Sequence, residues 1–192
     1  MKKTIVMASL VVASTSMMAM DLQYFLGAGV ERGDMSGKYN LDASNGYSGS
    51  ESIDDNAPDL KLKLGIILDK THRVSLSHIN YGIEDGGDFR IILGNYDYLI
   101  PINEDFRFLA GLHLGHANYK TDDDFKMTGA VYGAQVGAIY DITKNIEFEL
   151  GLAYSKYNLD KTTSGNIGGI SYTEKVELEN STSMSAGINY KF

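Results

Sequence analysis

The sequence predicts an all-β chain: an eight-stranded antiparallel up-and-down transmembrane β-barrel behind an N-terminal signal peptide. Three observations carry this. Apolar and polar residues alternate at period two over most of the chain, in stretches mostly longer than ten residues. The links between these stretches are short and long in turn. The first twenty residues have the layout of a secretory leader.

The leader comes first. Lys2 and Lys3 form a basic start, Ile5 to Ala13 a mostly apolar run, and Ala19 a small residue for cleavage. The run is too short to span a bilayer as a helix, so 1–19 is read as signal peptide and 20–192 as barrel; a buried N-terminal helix is the competing reading. Met17 fits the −3 position poorly, which leaves the cut open by a residue or two. Removing 1–19 leaves 15 basic and 25 acidic side chains, a formal charge of −10.

Composition alone would pass for a soluble protein, with mean hydropathy −0.18. Aromatic residues at 10% and the modest charge argue against disorder. The absence of cysteine excludes a disulfide scaffold, thiolate metal sites and a lipidated N-terminus. The acidic balance, with a pI near 4.9, speaks against nucleic acid as a partner.

Eight strands follow in order. The first covers 22–31. The second, 58–69, alternates Leu60, Leu62, Leu64, Ile66 and Leu68 with Lys61, Lys63 and Gly65. The third, 72–82, is less regular. In the fourth, 88–100, the apolar phase of Phe89, Ile91 and Leu93 shifts to Tyr96, Tyr98 and Ile100, which predicts a β-bulge near Asn95. The fifth, 105–119, sets Phe106, Phe108, Ala110, Leu112 and Leu114 against Arg107, Gly111, His113 and Gly115. The sixth, 127–141, sets Ala130, Tyr132, Ala134, Val136, Ala138 and Tyr140 against Gly133, Gln135 and Gly137. The seventh, 145–158, sets Ile146, Phe148, Leu150, Leu152 and Tyr154 against Glu147, Glu149 and Gly151. The eighth, 176–192, ends on Met184, Ala186, Ile188, Tyr190 and Phe192 in alternation. Membrane strands need about 9–11 residues, whereas sandwich strands run to about 5–6; these segments fit the first.

Links after the second, fourth and sixth strands are tight: Asp69–His72, Pro101–Glu104 and Ile142–Asn145. The others, about 32–57, 83–87, 120–126 and 159–175, are read as polar loops. An even strand number with this asymmetry places both termini on the short-turn side.

On these features the chain resembles the small eight-stranded outer-membrane barrels of the OmpA-transmembrane-domain/OmpX-like superfamily over about 22–192. Its last residues, Ser185 to Phe192, are similar to that family's C-terminal insertion signal, with Ile188, Tyr190 and a terminal Phe192. The resemblance implies a bacterial (Gram-negative) outer-membrane location with long loops outside and termini in the periplasm. It also implies recognition by the barrel-assembly machinery, contact with lipid and lipopolysaccharide, and a porin-like or adhesion-like surface role.

The apolar face of each strand should meet lipid. Tyr24, Tyr98, Phe106, Tyr119, Tyr140, Phe148, Tyr157, Tyr190 and Phe192 are assigned to interfacial girdles, in place of the absent tryptophan; core packing in a soluble sandwich is the alternative. The inward face carries Lys61, Lys63, Arg107, Gln135, Asp141, Glu147, Glu149 and Lys191. An eight-stranded lumen is just wide enough for its own side chains, so these groups are expected to pair and block bulk conduction. Gly65, Gly111, Gly115, Gly133, Gly137 and Gly151 are expected to leave them room.

Chemistry is weakly indicated. His113 and His116 lie three apart and face opposite sides, and no ligand cluster with metal spacing appears, so no metal or cofactor is expected. The runs Glu84–Asp88 and Asp122–Asp124 read as solvated loop charge rather than a Ca²⁺ site. Ser75, Ser77 and His78 prompt comparison with lipid A hydrolases, but adjacent Ser77 and His78 face opposite ways. The favoured reading is a monomeric non-enzymatic surface barrel meeting an extracellular partner through 32–57 and 159–175. A narrow solute channel similar to the OmpW family is second, and a lipid A-modifying hydrolase third.

Overall fold

The computed structural model describes residues 21–44, 48–83, 87–120 and 126–192. Eight strands, β1 (Leu22–Ala43), β2 (Ser48–Leu68), β3 (His72–Ile83), β4 (Gly87–Pro101), β5 (Phe106–Lys120), β6 (Lys126–Asp141), β7 (Ile146–Ile167) and β8 (Ile170–Lys191), pair with their sequence neighbours. They close into a barrel through an antiparallel β1–β8 seam. The signal-peptide assignment, Glu84 to Gly86 and Asp122 to Asp124 lie outside the described residues.

The register fixes the shape. Following partners around the wall, Leu22 leads to Leu68, His72, Tyr98, Ala110, Val136, Leu152 and Met184, and back into β1 at Arg32. A stagger of that size over eight strands tilts them about 40° to the barrel axis. Every step joins even to even. Even-numbered residues therefore face outward, and odd-numbered residues face the lumen, up to the bulges described below.

Two expectations are corrected. Most of 32–57 and 159–175 is not loop: 32–43 and 48–57 belong to the long strands β1 and β2, and 159–167 and 170–175 to β7 and β8. β1 stays paired to β8 as far as Ala43↔Tyr172, whereas β2 leaves β3 at Leu60↔Asn80 and β6 leaves β7 at Ala130↔Asn158. The four strands β2-β1-β8-β7 thus rise past the others as one projecting sheet. Past the barrel rim the apolar-polar alternation of the sequence fades while backbone pairing continues.

The predicted bulge near Asn95 is also absent. β4 alternates buried and exposed residues without a break from Phe89 to Ile100, and its pairings with β3 and β5 run unshifted. The apolar phase changes because Phe89, Ile91 and Leu93 line an apolar part of the lumen. Register shifts do occur, at Ser36/Gly37 in β1 and between Lys156 and Leu159 in β7, where the projecting sheet leaves the barrel.

The three tight turns have local causes. Asp69 and Lys70 both take positive φ, 49° and 59°, and Thr71 N donates to Leu68 O at 3.1 Å, the I′ geometry that suits a right-twisted hairpin. Asn103 Oδ1 accepts from the backbone N–H of Asp105 and Phe106, and Thr143 Oγ1 from Asn145 and Ile146. At the opposite end the β7–β8 tip turns on Gly168 and Gly169, with φ 61° and 85°.

Candidate functional site: the barrel lumen and its two ends

The outer wall is apolar. Leu26, Val30, Leu62, Leu64, Leu112, Leu114, Val136, Leu150, Leu152 and Ile188 are all exposed on it. Along β6 the outward positions from Tyr140 to Tyr132 cover eight steps, about 20 Å of height after tilt, close to the apolar band of about 25 Å of such barrels. Seven of the aromatics assigned to girdles point outward: Tyr24, Tyr98, Phe106, Tyr140, Phe148, Tyr190 and Phe192. All sit at the turn end, where Phe106 stacks edge-on to Phe108 and Tyr190 to Phe192. His72 joins them, its Nδ1 2.8 Å from the Tyr96 hydroxyl.

Tyr119 and Tyr157 are the exceptions and correct the girdle assignment. Their odd numbers turn them inward. Tyr157 is buried with its hydroxyl 2.9 Å from Ser181 Oγ, and Tyr119 packs on Phe89. Among the described residues Tyr132 and Tyr154 point outward nearer the hairpin end, as the same even-number parity marks.

Ionic groups fill the turn-end half of the lumen. Arg73 is fully buried. Its Nε donates to Asp97 Oδ2 at 2.9 Å, its Nη1 to Glu149 Oε2 at 2.6 Å and its Nη2 to Glu149 Oε1 at 3.2 Å. Its Cζ lies 5.6 Å from the Phe25 ring centroid. Lys63 Nζ donates to Glu149 Oε1 at 2.6 Å. Asn189 Nδ2 bridges Glu147 and Glu149, at 2.9 Å to each. Arg107 Nη2 donates to Asp141 at 2.8 Å and to Glu147 at 2.7 Å, and Lys191 Nζ to Asp141 at 2.7 Å. Gln135 Nε2 donates to Asp97 Oδ1, and Lys61 Nζ to Glu31 Oε2 at 2.5 Å.

All eight residues assigned to the lumen face it. The sequence reading misses the hub, Arg73 with Asp97 and Asn189, that joins all of them but Lys61. Parity could have found it: Arg73, Ser75 and Ser77 alternate with Val74, Leu76 and His78, and Asp97 lies between Tyr96 and Tyr98. Wall glycines leave the room this needs. A Cβ at Gly111 would run into the Asp97 carboxylate, one at Gly133 into the His113 ring, and one at Gly27 into the Asn189 amide. Phe25, Ile67, Leu99, Leu109 and Ile139 form a small apolar cluster beside the network.

Higher up, uncharged polar groups join the Lys61–Glu31 pair, which lies level with Ile79 and next to buried Asp59, and an apolar cluster packs beside that pair. Asn95 Nδ2 donates to Ser77 Oγ at 2.7 Å, and His113 Nε2 lies 3.0 Å from Ser155 Oγ. Ser77 is in the lumen and His78 on the outer wall. Above them Ile79, Phe89, Ile91, Leu93, Ala117, Met127, Val131, Tyr157 and Leu159 pack into one cluster, joined by Met35, Tyr119, Val176 and Leu178. The lumen thus holds an ion network toward the turns and, toward the hairpins, a hydrophobic cluster that the sequence reading does not assign.

The projecting sheet is richer in charge than the chain as a whole, and most of that charge is acidic. Lys38 Nζ donates to Glu179 Oε1 at 2.6 Å, and that bond holds its ammonium above the ordinary lysine value. Both groups are exposed, so the pair adds little to stability.

No family model and no curated protein matches the sequence. Solved structures do. The outer membrane protein OprG from Pseudomonas aeruginosa aligns with TM-score 0.65 at 14% identity, over 88% of this chain and 95% of that one. The fold is that of the small outer-membrane β-barrels. Neisserial surface protein A aligns with TM-score 0.57 at 16% identity, over 88% of this chain and 97% of that one. Outer membrane protein H (OprH) from P. aeruginosa gives 0.55 at 22%, over 87% and 99%. At these identities the likeness is one of fold. It accounts for an apolar outer wall around a charged lumen, the arrangement a small outer-membrane barrel needs in lipid.

Proposed function

We propose that this barrel resides in the bacterial outer membrane as a monomer, with termini in the periplasm, a lumen that does not conduct, and a projecting sheet that meets a partner outside the cell. The observation that carries this is the closure of the hairpin end by the Phe89–Val131–Leu159 cluster above a paired ion network. A solute path would have to cross both. What remains accessible is the sheet β2-β1-β8-β7, whose β7 edge beyond Asn158 has no β6 partner among the described residues and so offers backbone groups to a partner. The barrel-assembly machinery reads the outward Ile188, Tyr190 and Phe192 during insertion, and lipopolysaccharide surrounds the wall. The reading assigns the protein no chemistry: the His113–Ser155 pair is buried in the lumen, and Ser77 and His78 are separated by the wall.

Orientation is tested by labelling, which the cysteine-free sequence makes clean. Ser164→Cys, on the projecting part of β7, is expected to react with a membrane-impermeant maleimide on intact cells. Lys144→Cys, in a tight turn, is expected to react only after the outer membrane is permeabilised. The reverse pattern would overturn the orientation, and labelling of neither before permeabilisation would overturn surface exposure.

A further inference from the structure

The outer face of β3, β4 and β5 changes character over two residues. Pairing places its outward residues in rows. From the turn end these are His72–Tyr98–Ala110, Val74–Tyr96–Leu112 and Leu76–Gly94–Leu114. The next two rows are His78–Ile92–His116 and Asn80–Arg90–Asn118. The first three are apolar wall apart from His72, whose Nδ1 lies 2.8 Å from the Tyr96 hydroxyl. The last two bring one guanidinium, two imidazoles and two amides to one outward patch, and His78, Asn80, Arg90 and His116 are exposed on it. These groups offer N–H donors of the kind that bind phosphate oxygens. They lie at the hairpin-end margin of the apolar band. In the orientation proposed above, that is the depth of outer-leaflet headgroups.

A second observation lies just below. An open groove crosses the outer wall at Gly94, walled by Val74, Tyr96, Leu112 and Leu114 and reaching Lys156 at its far rim. Glycine within a strand weakens it and marks a close approach by something else. At Gly94 nothing in the protein requires it: an added Cβ would meet only the Leu114 carbonyl oxygen, at an ordinary 3.6 Å. Gly111, Gly115 and Gly133 are different, since a Cβ there would strike backbone or a lumen side chain. The space at Gly94 is therefore kept open toward lipid.

We propose that this face binds a phosphorylated glycolipid of the outer leaflet. Its phosphates sit on Arg90, His78, His116 and Lys156, and an acyl chain lies in the groove over Gly94. Headgroup depth rests on the orientation above; binding in micelles does not, so the two can fail separately.

The test is native mass spectrometry of the purified full-length barrel released from detergent micelles with one of three lipids: bisphosphorylated lipid A, its dephosphorylated form, or phosphatidylglycerol. The expected result is one retained lipid A per barrel, held about tenfold more tightly than either other lipid. R90Q/K156Q should bring lipid A down to the dephosphorylated level. G94L should weaken lipid A and its dephosphorylated form alike, with the heat-dependent gel shift of the folded barrel unchanged. Equal retention of lipid A and its dephosphorylated form, or no change in R90Q/K156Q, would overturn the phosphate contacts. Equal retention of phosphatidylglycerol would overturn the glycolipid assignment. Unchanged binding in folded G94L would overturn the acyl groove.

Discussion

Replacing Arg73 by methionine is expected to cost about 3–5 kcal/mol of unfolding free energy, because it leaves buried carboxylates uncompensated. Arg73 has no exposed surface and contacts Asp97 on β4 and Glu149 on β7, with Glu147 on β7 farther off at 4.0 Å. Without it Asp97 keeps only the Gln135 amide among the partners described above, while Glu149 still has Lys63 and Asn189. The loss should therefore centre on Asp97, and adding Asp97→Asn to the variant should restore part of it. Urea unfolding in lipid vesicles, followed by tyrosine fluorescence and by the gel shift, gives both numbers. A loss under about 1 kcal/mol is what an exposed pair would give, and would mean that water reaches the network.

Phe89→Ala is the second large effect, at about 3–5 kcal/mol for a buried aromatic that leaves a cavity. Phe89 is 3% exposed, with ring centroids 6.1 Å from Tyr119 and 6.2 Å from Tyr157, so the substitution removes both ring contacts and hollows the seal. The comparison is Leu114→Ala, whose side chain is 66% exposed on the outer wall. Lipid fills the space that side chain leaves, so its loss should be clearly smaller in the same vesicles. Equal losses would mean that the hairpin end of the lumen is not packed as a core.

Much of the fold could be read from residue order. Eight strands, the tight turns and the outward face follow from period two, because lipid on one side and a polar lumen on the other impose opposite demands on neighbouring residues. Sequence reading failed where one of those demands changes. At Phe89, Ile91 and Leu93 the lumen is itself apolar, so the alternation inverts and imitates a bulge. Over 32–43, 48–57, 159–167 and 170–175 the strands run past the barrel rim, so the pattern fades while the pairing continues. Tyr119 and Tyr157 suit a girdle by residue type but not by parity: their odd numbers put them with Arg107 and Glu147. The ion pairs themselves were out of reach. Which cation meets which carboxylate depends on the stagger around the barrel, and that brings Arg73 of β3 to Glu149 of β7 across the lumen, not along the wall.

The central claim is that the lumen is closed, and planar-bilayer recording tests it most directly. Purified, refolded protein is predicted to give no reproducible unitary current at either polarity. A stable single-channel step that recurs from preparation to preparation would contradict it, since ions would then have a path through both the Arg73 network and the Phe89 cluster.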